Sequence, residues 1–410
     1  MILIIVFLTL LPGALFNYLR RINFLKGVVS SDIELENEMA RLAAERIAAH
    51  KNDGPAVFCH LNLTAFSRPG NYQYTVGDVP TEACSHVVFP LHGLQDWFDD
   101  MLNYDAYQRA LHPSLYEDME YLKRNKKLQI LVYADAQNGT NGRRHLLDWI
   151  GSELSSEQLS MVFARNLVKW LLSNHLHGLV IEGMFPVPEP DRATMIRLLK
   201  KMHTLFKQAN LLLVAVVEEE SEITHRHAFG KRLSPFIDYL VIRNRKQHSR
   251  TFGRVLANLA VPEAASDPDL PLRLVLQAIA SGLPPRQLLS SIELDAATLR
   301  VDGNDTSSGI EGPLTNVPGV LAYFEACALL KDQEWETLNV TDLGNPVAIR
   351  QEDFVSYEST DSMQKKVSIA RNHSLGGVML WDVTSDDYRG VCGKVNPLTK
   401  AASATLLSSG

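Results

Sequence analysis

Short apolar runs rich in β-branched residues recur along this chain, and they restrict its fold more than any other feature. Runs of this length and composition are typical of strands buried on both faces of a parallel sheet. There are eight, namely AVFCHLNL from Ala56, SHVVFPLHG from Ser85, LQILVYAD from Leu128, GLVIEG from Gly178, LLLVAVV from Leu211, IDYLVIR from Ile237, LRLVLQAI from Leu272 and GGVMLWDV from Gly376.

Stretches with helical periodicity separate several of these runs. Within residues 155–174 and 191–208, apolar side chains recur three and four positions apart, as on one buried helix face. Eightfold alternation of strand and helix predicts the α/β class and, within it, a closed (β/α)8 TIM barrel. The interval from the seventh run to the eighth is longer than one helix needs and is rich in turn residues. We therefore expect an inserted α+β subdomain at residues 283–325, between strands 7 and 8.

The N-terminal region precedes the predicted barrel, which we place at residues 55–405. An uncharged run from Ile2 to Phe16 predicts a signal peptide within residues 1–26. Basic residues follow that run instead of preceding it, which is unusual for a secretory signal peptide. The second alternative is therefore a signal anchor, and the third is a chain whose start is wrongly assigned. Residues 27–54 are polar and form a leader segment. A signal peptide predicts a secreted, extracellular protein, whereas a signal anchor predicts a membrane-anchored one.

Charge and cysteine content limit the classes of partner. The chain has 40 basic and 47 acidic residues, a net charge of −7, which argues against nucleic acid because such partners require a basic face. Its cysteines show no metal-binding or redox spacing, so the sequence predicts no metal and no cofactor, and disulfides are favoured if the compartment is oxidising. Glycosylation sequons, which favour the secretory route, begin at Asn62, Asn138, Asn304, Asn339 and Asn372.

Four segments of the chain resemble the family 18 glycoside hydrolases, the chitinases and chitinase-like proteins. These segments are CHLNLTAFSRPGNYQYTVGDVPTEACSHVVF from Cys59, HGLVIEGMFP from His177, GPLTNVPGVLAYFEAC from Gly312 and GGVMLWDVTSDDYRGVCG from Gly376. The resemblance is specific because the segments, their order and the cysteine framework agree. It implies the disulfides Cys59–Cys84 and Cys327–Cys392.

The resemblance also implies where catalysis would take place. Family members carry a DGxDxDxE motif on the fourth strand, whose glutamic acid protonates the glycosidic oxygen while the substrate's N-acetyl group attacks the anomeric carbon. In this chain the motif is degenerate: His177, Val180 and Glu182 replace its aspartates, and Met184 replaces the proton donor. A thioether has no proton to donate. We therefore predict a pseudoenzyme with no catalytic residues.

Other positions of the family's cleft are also altered. Arg243 and Asn244 replace a tyrosine–aspartate pair at the end of the sixth strand, with Arg245 just beyond, and Ser281 replaces a tyrosine of the seventh. The basic residues Arg243 and Arg245 are candidate ligands for an anionic sugar or sulfate, or else substitutions tolerated after catalysis was lost. Trp381 matches the tryptophan on which the family stacks a sugar ring. The alternative is that this tryptophan merely fills the mouth of the barrel.

Strand alternation points both Glu182 and Arg243 into the barrel. A buried carboxylate without a partner is very costly, so we expect Glu182 to pair with Arg243 or Arg245. A displaced acid such as Glu182, Glu218 or Asp135 would be required if the chain were an active glycosidase. An acidic segment with two histidines follows the fifth run, and a solvated loop explains it better than a metal site.

Three functions follow from these features. The first is a secreted, inactive chitinase-like protein that binds chitin or another glycan containing N-acetylglucosamine, as a lectin does. The second is a growth-factor-like signalling protein whose barrel surface binds a receptor or a matrix protein. The third, which the altered motif disfavours, is an active glycosidase with a displaced acid.

Overall fold

A closed barrel of eight parallel strands forms the centre of the computed structural model. The strands are β1 (Ala56–His60), β2 (His86–Pro90), β3 (Gln129–Asp135), β4 (Gly178–Glu182), β5 (Leu212–Glu218), β6 (Tyr239–Arg243), β7 (Leu288–Glu293) and β14 (Gly377–Trp381). Each pairs in parallel register with its neighbours, and β14 closes the barrel between β7 and β1. The structure describes residues 41, 54–90, 113–125, 127–135, 156–182, 189–218, 232–243, 278–280, 282–302, 305–315, 317–338 and 345–408.

The barrel is filled by apolar side chains that alternate with outward-facing ones along each strand. Phe58, Val88, Leu131, Val180 and Met379 belong to this inner cluster and are fully buried. A second cluster lies between the strands and the outer helices, and it contains the other, outward-facing set of strand residues. The predicted barrel is confirmed, and its two apolar layers explain why the strands are continuous apolar runs.

Six described helices surround the strands or pack near them: α1 (Pro113–Lys123), α2 (Ser156–Ser173), α3 (Glu189–Gln208), α4 (Tyr323–Leu329), α5 (Thr360–Asn372) and α6 (Pro397–Leu407). The two stretches predicted to be helical correspond to α2 and α3. Their apolar faces are buried, as Trp170 on α2 and Met202 on α3 illustrate. None of the described helices is long and apolar enough to cross a membrane.

The seventh strand differs from the prediction. It is Leu288–Glu293, with the sequence LLSSIE, and not the run LRLVLQAI from Leu272. The described end of that run, from Ala278, is helical, and its first six residues lie outside the described part of the chain. A short apolar run fits a buried helix as well as a buried strand, and the true strand was obscured by its two serines.

The inserted subdomain also has different bounds from those expected. An antiparallel sheet, separate from the barrel, contains β8 (Ala296–Asp302), β9 (Asp305–Ser308), β10 (Val320–Leu321), β11 (Glu336–Leu338), β12 (Val347–Arg350) and β13 (Asp353–Ser356). The sheet therefore occupies residues 296–356, between β7 and β14, whereas residues 283–325 were predicted. The expected start is shifted because the seventh strand is misplaced. The expected end falls short because β11, β12 and β13 are only 3, 4 and 4 residues long and give little sequence signal.

Two disulfides join the positions that the resemblance implied. Cys59 of β1 is bonded to Cys84, and Cys327 of α4 is bonded to Cys392 beyond β14. The Cα atoms of the pairs are 5.9 and 6.2 Å apart, respectively. The second bond therefore ties the inserted region to the loop after the last strand.

Several N-terminal and surface predictions fall largely outside the described residues. Residues 1–26 and nearly all of the leader at 27–54 are not described, and neither are Asn138, Asn304 and Asn339. Asn372 is exposed at the end of α5, and Asn62 is half-buried, its side chain accepting a hydrogen bond from the Thr64 backbone. Glycosylation and secretion remain predictions.

Removing either disulfide should destabilise the fold by an amount that depends on the loop it closes. The paired cysteines are 25 and 65 positions apart, so loop-closure entropy predicts losses of about 3.5 and about 4 kcal/mol, respectively. The measurement is urea unfolding of the Cys59→Ser/Cys84→Ser and Cys327→Ser/Cys392→Ser variants. Peptide mapping without reduction provides the control, and crossed pairing there would contradict the strand assignment.

Candidate functional site

The carboxyl ends of the barrel strands bring a group of polar and aromatic side chains to one opening. We call five of them the mouth cluster, namely Tyr133 of β3, Glu182 of β4, Arg243 of β6, Glu293 of β7 and Trp381 of β14. Each occupies the last inward-facing position described on its strand. Active sites of barrel proteins lie at this end, so the mouth cluster is the candidate functional site.

Arg243 is the central member of the mouth cluster. Its Nε donates to Oε1 of Glu293 at 2.9 Å and its Nη2 to Oε2 at 3.3 Å, which makes a bidentate pair. Its Nη1 donates to Oε2 of Glu182 at 3.2 Å. The predicted pairing of Glu182 with Arg243 is therefore confirmed, and Glu293 is a second partner that the sequence did not indicate.

Burial would lower the pKa of Arg243, but its acidic neighbours reverse the direction. The charge of Glu293 and its hydrogen bond, followed by the charges of Glu182 and Asp382, raise the pKa above the ordinary arginine value. The guanidinium is thus a permanent cation held among three acidic groups. Only 13% of its side chain is exposed, so solvent screens these interactions little.

Glu182 is almost completely buried, with 1% of its side chain exposed. Its Oε2 accepts hydrogen bonds from the Tyr133 hydroxyl as well as from Arg243. Hydrogen bonds and an opposite charge both favour the ionised form of a carboxyl group. These two contacts fix the Glu182 side chain inside the barrel mouth.

Trp381 lies beneath the guanidinium. The Cζ atom of Arg243 is 3.8 Å from the centroid of the indole, a close cation–π contact. The His60 ring is 4.4 Å from the same indole and the Tyr133 ring is 5.8 Å from it. The indole is fully buried, which corresponds to the alternative in which this tryptophan fills the barrel mouth.

His60 and Asp382 form a second polar pair beside the mouth cluster. His60 Nδ1 is hydrogen-bonded to Asp382, while His60 Nε2 is buried and has no partner among the described residues. Burial would raise the pKa of Asp382, but the charge and hydrogen bond of His60 and the charge of Arg243 lower it below the ordinary value. This aspartate therefore adds negative charge near the guanidinium.

Asp295, just after β7, has a raised pKa, in contrast to Asp382. Burial raises its pKa to about 7, and the charges of Asp382 and Glu293 add to the rise. The hydrogen bond from Ser385 and the charge of Arg68 oppose it. Asp295 is thus a described group beside the mouth cluster that changes its charge near neutral pH.

The remaining predicted positions are dispersed. His177 precedes β4 at the opposite end of the barrel, where its Nδ1 accepts a hydrogen bond from the Ile130 backbone at 3.0 Å. Val180 is buried in the apolar interior. Met184, Arg245, Asn244 and Ser281, and the side chains of Asp135 and Glu218, lie outside the described part of the chain.

Five members of the site escaped the sequence prediction, namely Glu293, Tyr133, His60, Asp382 and Asp295. Glu293 was missed because the seventh strand was misplaced. Period-two alternation along β1 and β3 would have pointed His60 and Tyr133 inward. Asp295 and Asp382 lie just beyond strand ends, where no residue pattern indicated their orientation.

One described group has metal-ligand chemistry, and it consists of Cys327, Asp387 and Cys392. Both cysteines are engaged in a disulfide, and the Asp387 carboxylate accepts hydrogen bonds from the backbone amides of Val391 and Cys392. These side chains are already used to fix the loop after β14. The group therefore does not qualify as a metal site.

Comparison with known proteins identifies the family. The model of glycosyl hydrolases family 18 matches residues 57–386, and the chain belongs to this family.

Individual relatives are distant. "Probable chitinase 2" of Drosophila melanogaster is 25% identical over 360 residues, which cover 82% of this chain and 73% of that protein. "Oviduct-specific glycoprotein" of Ovis aries is 25% identical over 368 residues, which cover 84% and 65%, respectively. A solved structure described as "Human YKL-39 is a pseudo-chitinase with retained chitooligosaccharide binding properties" has a TM-score of 0.67 at 19% identity and covers 87% of this chain and 100% of its own. At this level of identity, the similarity shows that the two chains share a fold.

The ion pairs of the mouth cluster should contribute unequally to stability. Arg243→Met removes the cation that pairs with both Glu182 and Glu293 and should destabilise the fold by about 3 to 5 kcal/mol. Glu182→Gln leaves the Arg243–Glu293 pair intact and should cost about 1 to 2 kcal/mol. Chemical denaturation measures both. Arg300→Met, at an ion pair whose arginine is 54% exposed, is the control and should cost less than about 1 kcal/mol. Equal losses at Arg243 and Glu182 would contradict the assignment.

Asp295 should make stability fall as the pH rises. An unfolded aspartate loses its proton near pH 4, whereas the folded one retains it to about pH 7. Ionisation therefore opposes folding within that interval. Asp295→Asn removes the effect, so the variant should gain on the order of 2 kcal/mol relative to the parent between pH 4 and pH 8, after allowance for partial exposure. Thermal melts across this range test it. The exposed Asp361→Asn is the control, and parallel profiles for parent and Asp295→Asn would refute the prediction.

Proposed function

We propose that this chain is a non-hydrolytic, chitinase-like member of family 18 that acts by binding. One observation carries the proposal: Glu182 is buried, and its Oε2 accepts hydrogen bonds from both Arg243 and Tyr133. A general acid must carry a proton and reach the glycosidic oxygen. Oε2 of Glu182 is instead engaged by the Arg243 guanidinium and the Tyr133 hydroxyl, inside the barrel.

The neighbouring positions of β4 supply no substitute. Val180 contributes only methyl groups to the barrel interior, and the thioether of Met184 cannot donate a proton. Hydrolysis in this family needs a carboxylic acid and a second carboxylate that stabilises the intermediate. The single carboxylate of this strand already neutralises an arginine.

The ligand class that we propose is a glycan containing N-acetylglucosamine. Support comes from the human relative whose description states retained chitooligosaccharide binding by a pseudo-chitinase. The sequons at Asn62 and Asn372 and the apolar N-terminal run support an extracellular location. Binding without hydrolysis in the extracellular space would make the protein lectin-like.

Binding of a receptor or matrix protein to the barrel surface is the second candidate function. The observation that favours it is the burial of Trp381 beneath Arg243. A glycan lectin needs exposed aromatic rings, and the ring that the family resemblance assigns to the central sugar is covered. A glycan array and a receptor-capture assay on the same purified protein separate the two candidates.

The purified chain should release no product from a fluorogenic chitotriose substrate between pH 4 and pH 8. Met184→Glu should also remain at background, because the other carboxylate and the groups that orient the N-acetyl moiety are still missing. An active family chitinase in parallel provides the positive control. Turnover by the parent that Glu182→Gln abolishes would overturn the proposal in favour of a displaced acid.

A further inference from the structure

We infer that the Arg243 side chain fills the space above Trp381 in which a sugar ring would stack. Arg243 therefore determines whether a pyranose ring can reach Trp381. The inference deepens the proposed function and rests on it, because it concerns the glycan specificity of the same cleft. In chemical terms, the Arg243 guanidinium stacks on the Trp381 indole where a sugar ring would otherwise stack.

The separation of the two groups leaves no room for a sugar between them. Arg243 Cζ lies 3.8 Å from the centroid of the Trp381 ring, which is ordinary van der Waals contact between stacked groups. A pyranose stacks on an indole at a similar separation. Sugar and guanidinium therefore compete for one layer of space above the same ring.

The guanidinium is fixed in that layer. Two hydrogen bonds to Glu293 and one to Glu182 set the orientation of its plane. The Tyr133 hydroxyl donates to the same oxygen of Glu182, which holds the carboxylate in turn. A sugar that displaced the arginine would have to break three charge-assisted hydrogen bonds at once.

The surrounding charges also oppose displacement. Glu182, Glu293 and Asp382 all stabilise the Arg243 cation, and displacing it would remove the positive charge that compensates these buried carboxyl groups. A neutral oligosaccharide offers no charge to replace it. The position above Trp381 is therefore closed to a neutral pyranose ring through charge as well as through space.

Two other aromatic rings also contact the indole. The His60 ring contacts it at 4.4 Å, and His60 is itself held by its hydrogen bond to Asp382. The ring of Tyr133 meets the indole edge-on at 5.8 Å. Removing Arg243 would take away the group that is stacked on the indole at 3.8 Å.

A matched control exists in the inserted sheet. Arg350 of β12 places its Cζ 4.6 Å from the ring centroid of Trp335 and pairs with Asp332. This arrangement has the same cation, the same kind of ring and an acidic partner, but it lies outside the barrel. Arg350→Ala therefore controls for the general effect of removing an arginine from a tryptophan.

The test compares chitotetraose binding by calorimetry for the full chain, Arg243→Ala and Arg350→Ala. Opening one stacking face should raise the affinity of Arg243→Ala about tenfold over the parent, which is the gain expected of a sugar–aromatic contact. Chitotetraose should also change the tryptophan fluorescence of this variant more than that of the parent. Arg350→Ala should match the parent in both readouts.

A second variant covers the case in which Arg243→Ala does not fold. Arg243→Ala/Glu182→Gln removes one of the carboxylates that pair with Arg243 and should show the same gain in affinity. Equal affinity of the parent and every folded Arg243 variant would overturn the inference. Product release from chitotetraose is followed in the same samples. Hydrolysis by the parent would refute the proposed function independently of the affinity ratio.

Discussion

The mouth of this barrel depends on the placement of one buried cation, the guanidinium of Arg243. It connects β6 to β4 and β7 through Glu182 and Glu293, and it covers Trp381 of β14. A buried arginine is tolerated only where carboxylates compensate its charge and its donors are satisfied. Four of the eight barrel strands therefore meet at this one group.

The charges around Arg243 explain why the cleft differs from that of a hydrolase. Glycoside hydrolysis requires a carboxylic acid that alternates between protonated and ionised forms. In this chain Glu182 is bound by Arg243 and Tyr133, whereas Asp295, whose pKa is raised to about 7, lies after β7 and not on β4. The conserved fold thus holds carboxyl groups at its mouth without arranging them for proton transfer.

Much of this arrangement could be predicted from strand periodicity. Alternation along β4 and β6 placed Glu182 and Arg243 on the inner face, and the cost of an unpaired buried carboxylate predicted their ion pair. Glu293 could not be predicted in the same way. The run from Leu272 is more apolar than LLSSIE, and apolar content alone does not distinguish a strand from a helix. The stacking of Arg243 on Trp381 could not be predicted either, because it is a contact between β6 and β14. These strands are distant in sequence and are separated by β7 in the barrel.

The most direct test of this account is the NMR spectrum of the protein labelled with ¹⁵N-arginine. A guanidinium stacked on an indole and fixed by two glutamates should give an Nε–H signal that is shifted by the ring current and exchanges slowly with solvent. The signal should be assigned by its absence in Arg243→Lys, and it should lose its ring-current shift in Trp381→Leu. A guanidinium signal for Arg243 with the shift and rapid exchange of an exposed arginine would contradict the account.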